Sequence, residues 1–404
     1  MRLLASLLAV LATLSSACES VGEASPPEQP QPASPLPRAV APGGYDVDVG
    51  FRSVVPDLEC PDTNGCVEPY YAFLARPEVI SAAPRIENCE QVVAGWIQAA
   101  LDDRELLQGL PPMQPGETLG DEILQTTRMG FLFEPEAFWA RSLTVVERSR
   151  RDVISDTGSP YELRELLLVD PLVGQVQVEH LLPLPRTGPV PTVVILPGHR
   201  EDASTHRLQR FGQFLPERGF ATVIVSFRAW DQRTDADATE AMLCQGMSMM
   251  LLRGYEAMLA MKLALAAPES FNQPIGLLGH SGGSMVGNLL AWLPVNPAWV
   301  QVSDLFGDYR NAGPAEDDLP AVDCSTHPAL SLLSRSINEV QYAPIPVFEV
   351  PYGYAVDDGA QDSDPSPWDP SPVELFAPIF EAFLTRGDSP SSAATPTHRQ
   401  QGQQ

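Results

Sequence analysis

Read for hydrophobic period alone, the chain changes character near residue 160. Downstream of that point, short apolar runs alternate with longer stretches of helical spacing. Tyr161 to Val169 and Gln175 to Leu184 are two strand-like runs joined by Asp170-Pro171-Leu172-Val173-Gly174, which predicts a hairpin. Pro191 to Leu196 and Ala221 to Val225 are nearly unbroken apolar runs, the pattern of strands buried on both faces. Helical spacing follows each of them, over Thr205 to Glu217 and over about Ala238 to Ala266. The second of these stretches is studded with Met and Leu, which core packing explains without a binding role. A strand over Pro274 to Leu278, a helix over Gly282 to Leu293 and a strand over Val300 to Phe306 come next. Pro346 to Val350 reads as a last strand and Pro372 to Leu384 as a last amphipathic helix. This alternation predicts one α/β domain over residues 160–386, a mostly parallel sheet flanked by helices.

The flanks differ. Residues 45–159 form an N-terminal extension without a repeat or a known motif, partly helical by spacing over Glu90 to Leu107 and in part over Glu122 to Val146. An extension that packs on the main domain is the expected role, and a lid or substrate platform the alternative. Residues 1–18 read as a signal segment: Arg2, an apolar stretch from Leu3 to Leu14, then small residues before Cys18. That stretch is shorter than the roughly 20 apolar residues a bilayer span needs. Residues 19–44 are a Pro-rich linker and residues 387–404 a polar tail, both expected to be disordered.

Composition narrows the partners. The 404 residues are 44% hydrophobic, enough for a core of ordinary size. Lys+Arg number 25 against 52 Asp+Glu, a formal net charge of -27, and Lys262 is the sole lysine. Such a surface repels phosphate backbones and anionic lipid heads, so no nucleic-acid partner is expected. The cysteines are Cys18, Cys60, Cys66, Cys89, Cys244 and Cys324. In an oxidising compartment a bridge is expected among Cys60, Cys66 and Cys89, which lie close in sequence. The loose Cys60–Cys66 spacing, with no histidine nearby, does not make a zinc site. No metal or organic cofactor is implied.

Candidate chemistry centres on Gly279-His280-Ser281-Gly282-Gly283, between a predicted buried strand and a predicted helix. A turn this tight needs small neighbours, because it holds the serine in strained backbone with its hydroxyl exposed above the sheet. Gly282 offers a backbone N–H beside the nucleophile.

These residues, with Val193-Val194-Ile195-Leu196-Pro197-Gly198-His199 and Gly254-Tyr255-Glu256-Ala257-Met258, resemble the α/β-hydrolase superfamily over about Tyr161 to Leu384. The likeness is to its dienelactone-hydrolase, acetyl-xylan-esterase and prolyl-oligopeptidase-like members. The resemblance implies acyl transfer to water, with Ser281 as nucleophile and backbone N–H groups at His199 and Gly282 as the oxyanion hole. It implies an acid after the last strand, Asp357 or Asp358, with Asp308 as the runner-up. The family order is serine, acid, histidine. Only His327 and His398 follow Ser281, and His327 precedes the acid candidates while His398 lies in the polar tail. His327 is therefore the candidate base by elimination. His180, His199, His206 and His280 are read as non-catalytic: a hairpin strand, the oxyanion loop, a helix and the serine turn.

Cys18 after Ala17 resembles the acylated cysteine of bacterial lipoproteins, although Ser15 stands where that pattern prefers leucine. An exported serine esterase, anchored by Cys18 or free in the periplasm or outside the cell, is the first reading. A small-molecule or carbohydrate ester is the expected substrate. The alternative is a surface lipoprotein that kept the fold, lost the base and serves as a binding module. A peptidase ranks third, because no propeller of regular repeats is present.

Overall fold

The structure, a computed structural model, describes residues 49–51, 73–74, 77–83, 85–89, 91, 119–141, 143–199, 201–229, 232–270, 274–293, 299–303, 343, 345, 347–349 and 371–384. The candidates Cys18, Cys60, Cys66, Asp308, Cys324, His327, Asp357, Asp358 and His398 lie outside the described residues, as do the linker, the tail and most of the helix expected over Glu90 to Leu107.

The strands are β1 (Val49–Phe51), β2 (Leu143–Ile154), β3 (Pro160–Asp170), β4 (Gly174–Pro183), β5 (Thr192–Leu196), β6 (Ala221–Ser226), β7 (Ile275–Gly279), β8 (Trp299–Ser303) and β9 (Val347–Glu349). They form one sheet in the order β1-β2-β3-β4-β6-β5-β7-β8-β9. From β6 through β9 every pairing is parallel, whereas β4 runs antiparallel to both β3 and β6. The helices are α1 (Pro77–Ala82), α2 (Gly120–Thr126), α3 (Pro135–Ala140), α4 (Ala203–Gln209), α5 (Gln232–Leu243), α6 (Met249–Ala266), α7 (Gly282–Leu290) and α8 (Ser371–Leu384). A mostly parallel sheet, in which β1, β2 and β4 run opposite to the other strands, covered by helices on both faces, is the α/β-hydrolase arrangement expected.

The apolar runs become central strands because both of their faces are covered. Along β5, Val194 and Leu196 enter one core with Met258 and Leu259 of α6 and Leu289 of α7. Val193 and Ile195 enter the other, with Ala203 of α4 and Phe376 and Phe380 of α8. Side chains alternate across a strand, so unbroken apolarity is stable only where two helical layers exist. Each fully buried side chain of this kind contributes roughly 1.5–3 kcal/mol.

Three local expectations need correction. The helical stretch expected over Ala238 to Ala266 is two helices, α5 and α6. Gly246 takes φ +71 in the intervening turn, and the Ser248 side chain caps α6 by accepting the Leu251 N–H. Apolar spacing continues across this turn, which hides it from periodicity. The helix expected over Thr205 to Glu217 stops at Gln209 and gives way to 3-10 turns at Gly212–Phe214 and Pro216–Arg218. Finally, the partial helix expected over Glu122 to Val146 is confined to α2 and α3, and Leu143 instead opens the twelve-residue strand β2.

Strand β2 pairs with β3 from Thr144–Val169 to Ile154–Pro160, so the turn at residue 159 joins two strands of one sheet. The segment before it is also tied to α6 by polar contacts. The ammonium of Lys262 donates to the carbonyls of Phe138 (2.9 Å) and Arg141, and Arg141 donates to the Tyr255 hydroxyl at 2.7 Å. Burial is the main cause that pulls the Lys262 pKa down to about 8.

Of the three cysteines among which a bridge is expected, only Cys89 lies among the described residues. Instead of joining Cys60 or Cys66, Cys89 stands opposite Cys244, at the end of α5, with a Cα–Cα distance of 5.1 Å. The Ile86 N–H donates to the Cys244 carbonyl at 2.7 Å and holds the two segments together. Nearness in sequence did not decide the partner, because the segment after α1 is docked on the α5–α6 turn.

Candidate active site

Ser281 sits where β7 gives way to α7, at the carboxyl edge of the parallel strands, the edge at which α/β folds place their ligand sites. Its backbone takes φ 48, ψ −116, a conformation costly for a residue with a side chain. The turn is closed by backbone bonds: the Gly283 N–H donates to the His280 carbonyl at 2.8 Å, and the Ser284 N–H to that of Ser281 at 2.9 Å. Ser281 and Gly282 are both partly exposed, while His280 and Gly283 beside them are buried.

The glycines of the turn are dictated by contact. A Cβ on Gly279 would come within 2.5 Å of the Ser284 Cα. On Gly283 it would meet the Leu196 carbonyl oxygen at 2.0 Å and the Pro197 oxygen at 2.5 Å. Both encounters are with backbone, which cannot rotate away.

The loop after β5 therefore lies directly against the serine turn. Leu196 and Gly279 are register partners, and the His280 N–H donates to the Leu196 carbonyl at 3.0 Å. Pro197 and Gly198 follow, and His199 is exposed. Thus Ser281, Gly282 and His199, far apart in the chain, are brought to one edge of the sheet by two adjacent parallel strands.

A further group converges here that sequence reading missed. Glu201 follows His199 by two residues and is buried. Its Oε2 accepts the Gly198 N–H at 3.0 Å and stands 3.0 Å from His206 Nδ1. Its Oε1 accepts from Arg210 Nε at 2.6 Å and lies 3.6 Å from His280 Nε2. The next residue, Asp202, caps α4 by accepting the Thr205 N–H, and that helix presents His206 inward. Burial pushes the Glu201 carboxyl up, but its contacts with His206 and His280 more than offset this and hold it well below the usual carboxylate range. Burial pulls the His206 imidazole below its ordinary value, although the Glu201 carboxylate beside it opposes the shift. The only legible signal was an acidic residue between the end of a buried strand and a helix cap.

The adjacent loop after β6 is braced in a similar way. Arg228 donates through Nε to the buried Glu256 of α6, and through its terminal nitrogens to the carbonyls of Val173 (2.8 Å) and Gln175 (3.3 Å). Among the histidines read as non-catalytic, His180 is buried on β4 and His206 on α4, as expected of a strand and a helix. Among the described residues no group of three or more His, Cys, Asp or Glu could hold a metal ion. A cavity of about 500 Å³ is lined by Arg85 to Cys89 and Gln91, beside the Cys89–Cys244 pair and not by Ser281.

No protein-family model and no curated protein sequence matches the chain. Solved structures similar to it include a protein described as an acetyl xylan esterase from Bacteroides fragilis NCTC 9343, at 13% identity over 68% of this chain and 87% of that one, with a TM-score of 0.40. Acetyl xylan esterase 1 from Thermoanaerobacterium sp. JW/SL YS485 is 13% identical, with 70% of this chain and 98% of that one covered and a TM-score of 0.33. A glucuronoyl esterase from Solibacter usitatus is 10% identical, covering 48% of this chain and 64% of that one, with a TM-score of 0.30. At such identities nothing of their chemistry transfers to this chain.

Proposed function

We propose that this protein is a serine hydrolase of the esterase type that works through an acyl-enzyme on Ser281. The observation that carries the reading is the backbone of Ser281, held at φ 48, ψ −116 between a buried strand and a helix. A strained non-glycine residue persists only where its surroundings over-determine it, and such residues cluster at active sites.

In the proposed reaction the Ser281 hydroxyl attacks the ester carbonyl as a base removes its proton. The oxyanion that forms is met by the N–H groups of His199 and Gly282. Collapse expels the alcohol, which takes the proton, and leaves the acyl group on Ser281. Water, deprotonated by the same base, then releases the acid and restores the serine. His327 is the proposed base, and Asp357 or Asp358 the carboxylate that orients it. An exported protein tethered through an acylated Cys18 completes the proposal. Its substrates are small or carbohydrate esters that reach it outside the cytoplasm.

A fluorophosphonate probe followed by peptide mapping tests the nucleophile. Labelling should fall on Ser281, and Ser281→Ala should lose both labelling and hydrolysis of short acyl esters by many orders of magnitude while keeping its fold. A folded wild-type protein that neither labels nor hydrolyses esters would instead favour a non-catalytic binding module. Loss of activity in His327→Ala, with Ser281 still in place, would support the assigned base; full activity would remove it.

A further inference from the structure

We propose that Glu201 is a positioning residue that holds the oxyanion loop and the serine turn in register with each other. The role rests on the serine-hydrolase reading of Ser281 and adds to it a residue from outside the nucleophile, hole and triad.

The geometry is specific. Glu201 touches the residue before each half of the reaction centre: Gly198, which precedes His199, and His280, which precedes Ser281. The Gly198 contact is a hydrogen bond of 3.0 Å, and the His280 contact an approach of 3.6 Å. Gly198 is wedged between these same two groups. A Cβ there would lie 2.9 Å from the His280 ring and 3.2 Å from Glu201 Oε2. Phe211 closes the pocket behind them, edge-on to His206 at 4.8 Å and to His280 at 5.9 Å between ring centres.

A carboxylate is an expensive way to fill this space. Removed from water, it must be compensated by donors or it destabilises the fold. Glu201 is 7% exposed and gathers the Gly198 N–H, His206 Nδ1 and Arg210 Nε around its two oxygens. Packing alone would be served by an apolar side chain. What the carboxylate adds is direction: by accepting the Gly198 N–H it fixes the plane of the Pro197–Gly198 peptide, and so the way the chain enters His199. Charge stabilisation by a backbone donor depends on placement within about 0.5 Å, so a loop free to rotate would lose it.

The test combines steady-state kinetics on a short acyl ester with amide hydrogen exchange at Gly198 and His199 in the full-length protein. In Glu201→Ala, kcat should fall about 10- to 100-fold with KM within about 3-fold of wild type, and exchange at Gly198 should accelerate. Glu201→Gln keeps an acceptor for the Gly198 N–H and should recover much of both. Unchanged kcat or unchanged Gly198 exchange in a folded Glu201→Ala would overturn the assignment, as would equal loss in Ala and Gln. If Glu201→Ala does not fold, Arg210→Met replaces it. That variant should show a smaller shift in the same direction, and no shift in kcat or exchange overturns the proposal. Should the wild type prove inactive and unlabelled, the hydrolase reading fails. Exchange then decides Glu201 alone: faster exchange at Gly198 in the variants supports its hold on the loop, and preserved protection rejects it.

Discussion

Gly283 approaches Leu196 so closely that a Cβ on it would sit 2.0 Å from the Leu196 carbonyl oxygen. The contact joins the first turn of α7 to the end of β5, and it sets how near Ser281 lies to the loop after β5. Neither side can yield, because Leu196 is held in register opposite Gly279.

Gly283→Ala should therefore cost about 3 kcal/mol or more in urea denaturation, since overpacking against backbone has no rotamer escape. It should also abolish fluorophosphonate labelling. Gly130→Ala is the control, because a Cβ there meets nothing within 4 Å. Its effect should stay within about 0.5 kcal/mol. Similar losses in the two variants would show that the contact is not what matters.

Ser281→Gly should separate stability from activity. Glycine tolerates φ 48 without a Cβ penalty, so the variant should gain about 1 kcal/mol of stability while losing hydrolysis. Equal or lower stability by urea midpoint would mean that the turn stores no strain at the serine.

His180 predicts a pH dependence. It lies on β4 opposite Arg164, and its Nε2 has no hydrogen-bond partner among the described residues. Burial first, and then the Arg164 charge, pull its pKa down to about 4. Between that value and the ordinary 6.5, the unfolded chain takes up a proton that the folded chain does not. Its contribution is thus complete above about pH 6.5 and is lost as pH falls toward 4, up to about 3 kcal/mol. Urea midpoints from pH 7.5 to 4.5 should drop more steeply for wild type than for His180→Gln. Parallel slopes would assign the acid sensitivity to other groups.

The Cys89–Cys244 pair, 155 residues apart in sequence, should survive as a linked peptide in a non-reducing digest of the protein. Its reduction should lower stability by roughly 2–5 kcal/mol, because closing so long a loop restricts the unfolded chain. Finding both thiols free in protein unfolded without reductant would refute the link.

Much of the scaffold could be read locally. A five-residue apolar run such as Thr192–Leu196 or Ile275–Gly279 can be satisfied only with both faces covered, so β5 and β7 announce a parallel sheet between helical layers. The serine turn is legible as well, because Gly279-His280-Ser281-Gly282-Gly283 stands between an apolar run and a helical one, and Gly279 answers a steric demand made by Ser284 five residues on.

Other features exist only once the chain is folded. The apolar period runs straight through residues 244–248, and the helix breaks there because Gly246 takes a left-handed turn and Ser248 caps α6. Leu143 to Val146 suits a helix as well as a strand until β3 offers it a ladder. Cys89 meets Cys244 across 155 residues, and Glu201 acquires its meaning from His206 and Arg210, one helix further on, and from His280, which arrives on β7. Backbone preference and burial pattern are decided within a few residues and survive in one dimension. Ion pairing, disulfide pairing and strand partnership depend on distance in space, which the packed sheet alone supplies.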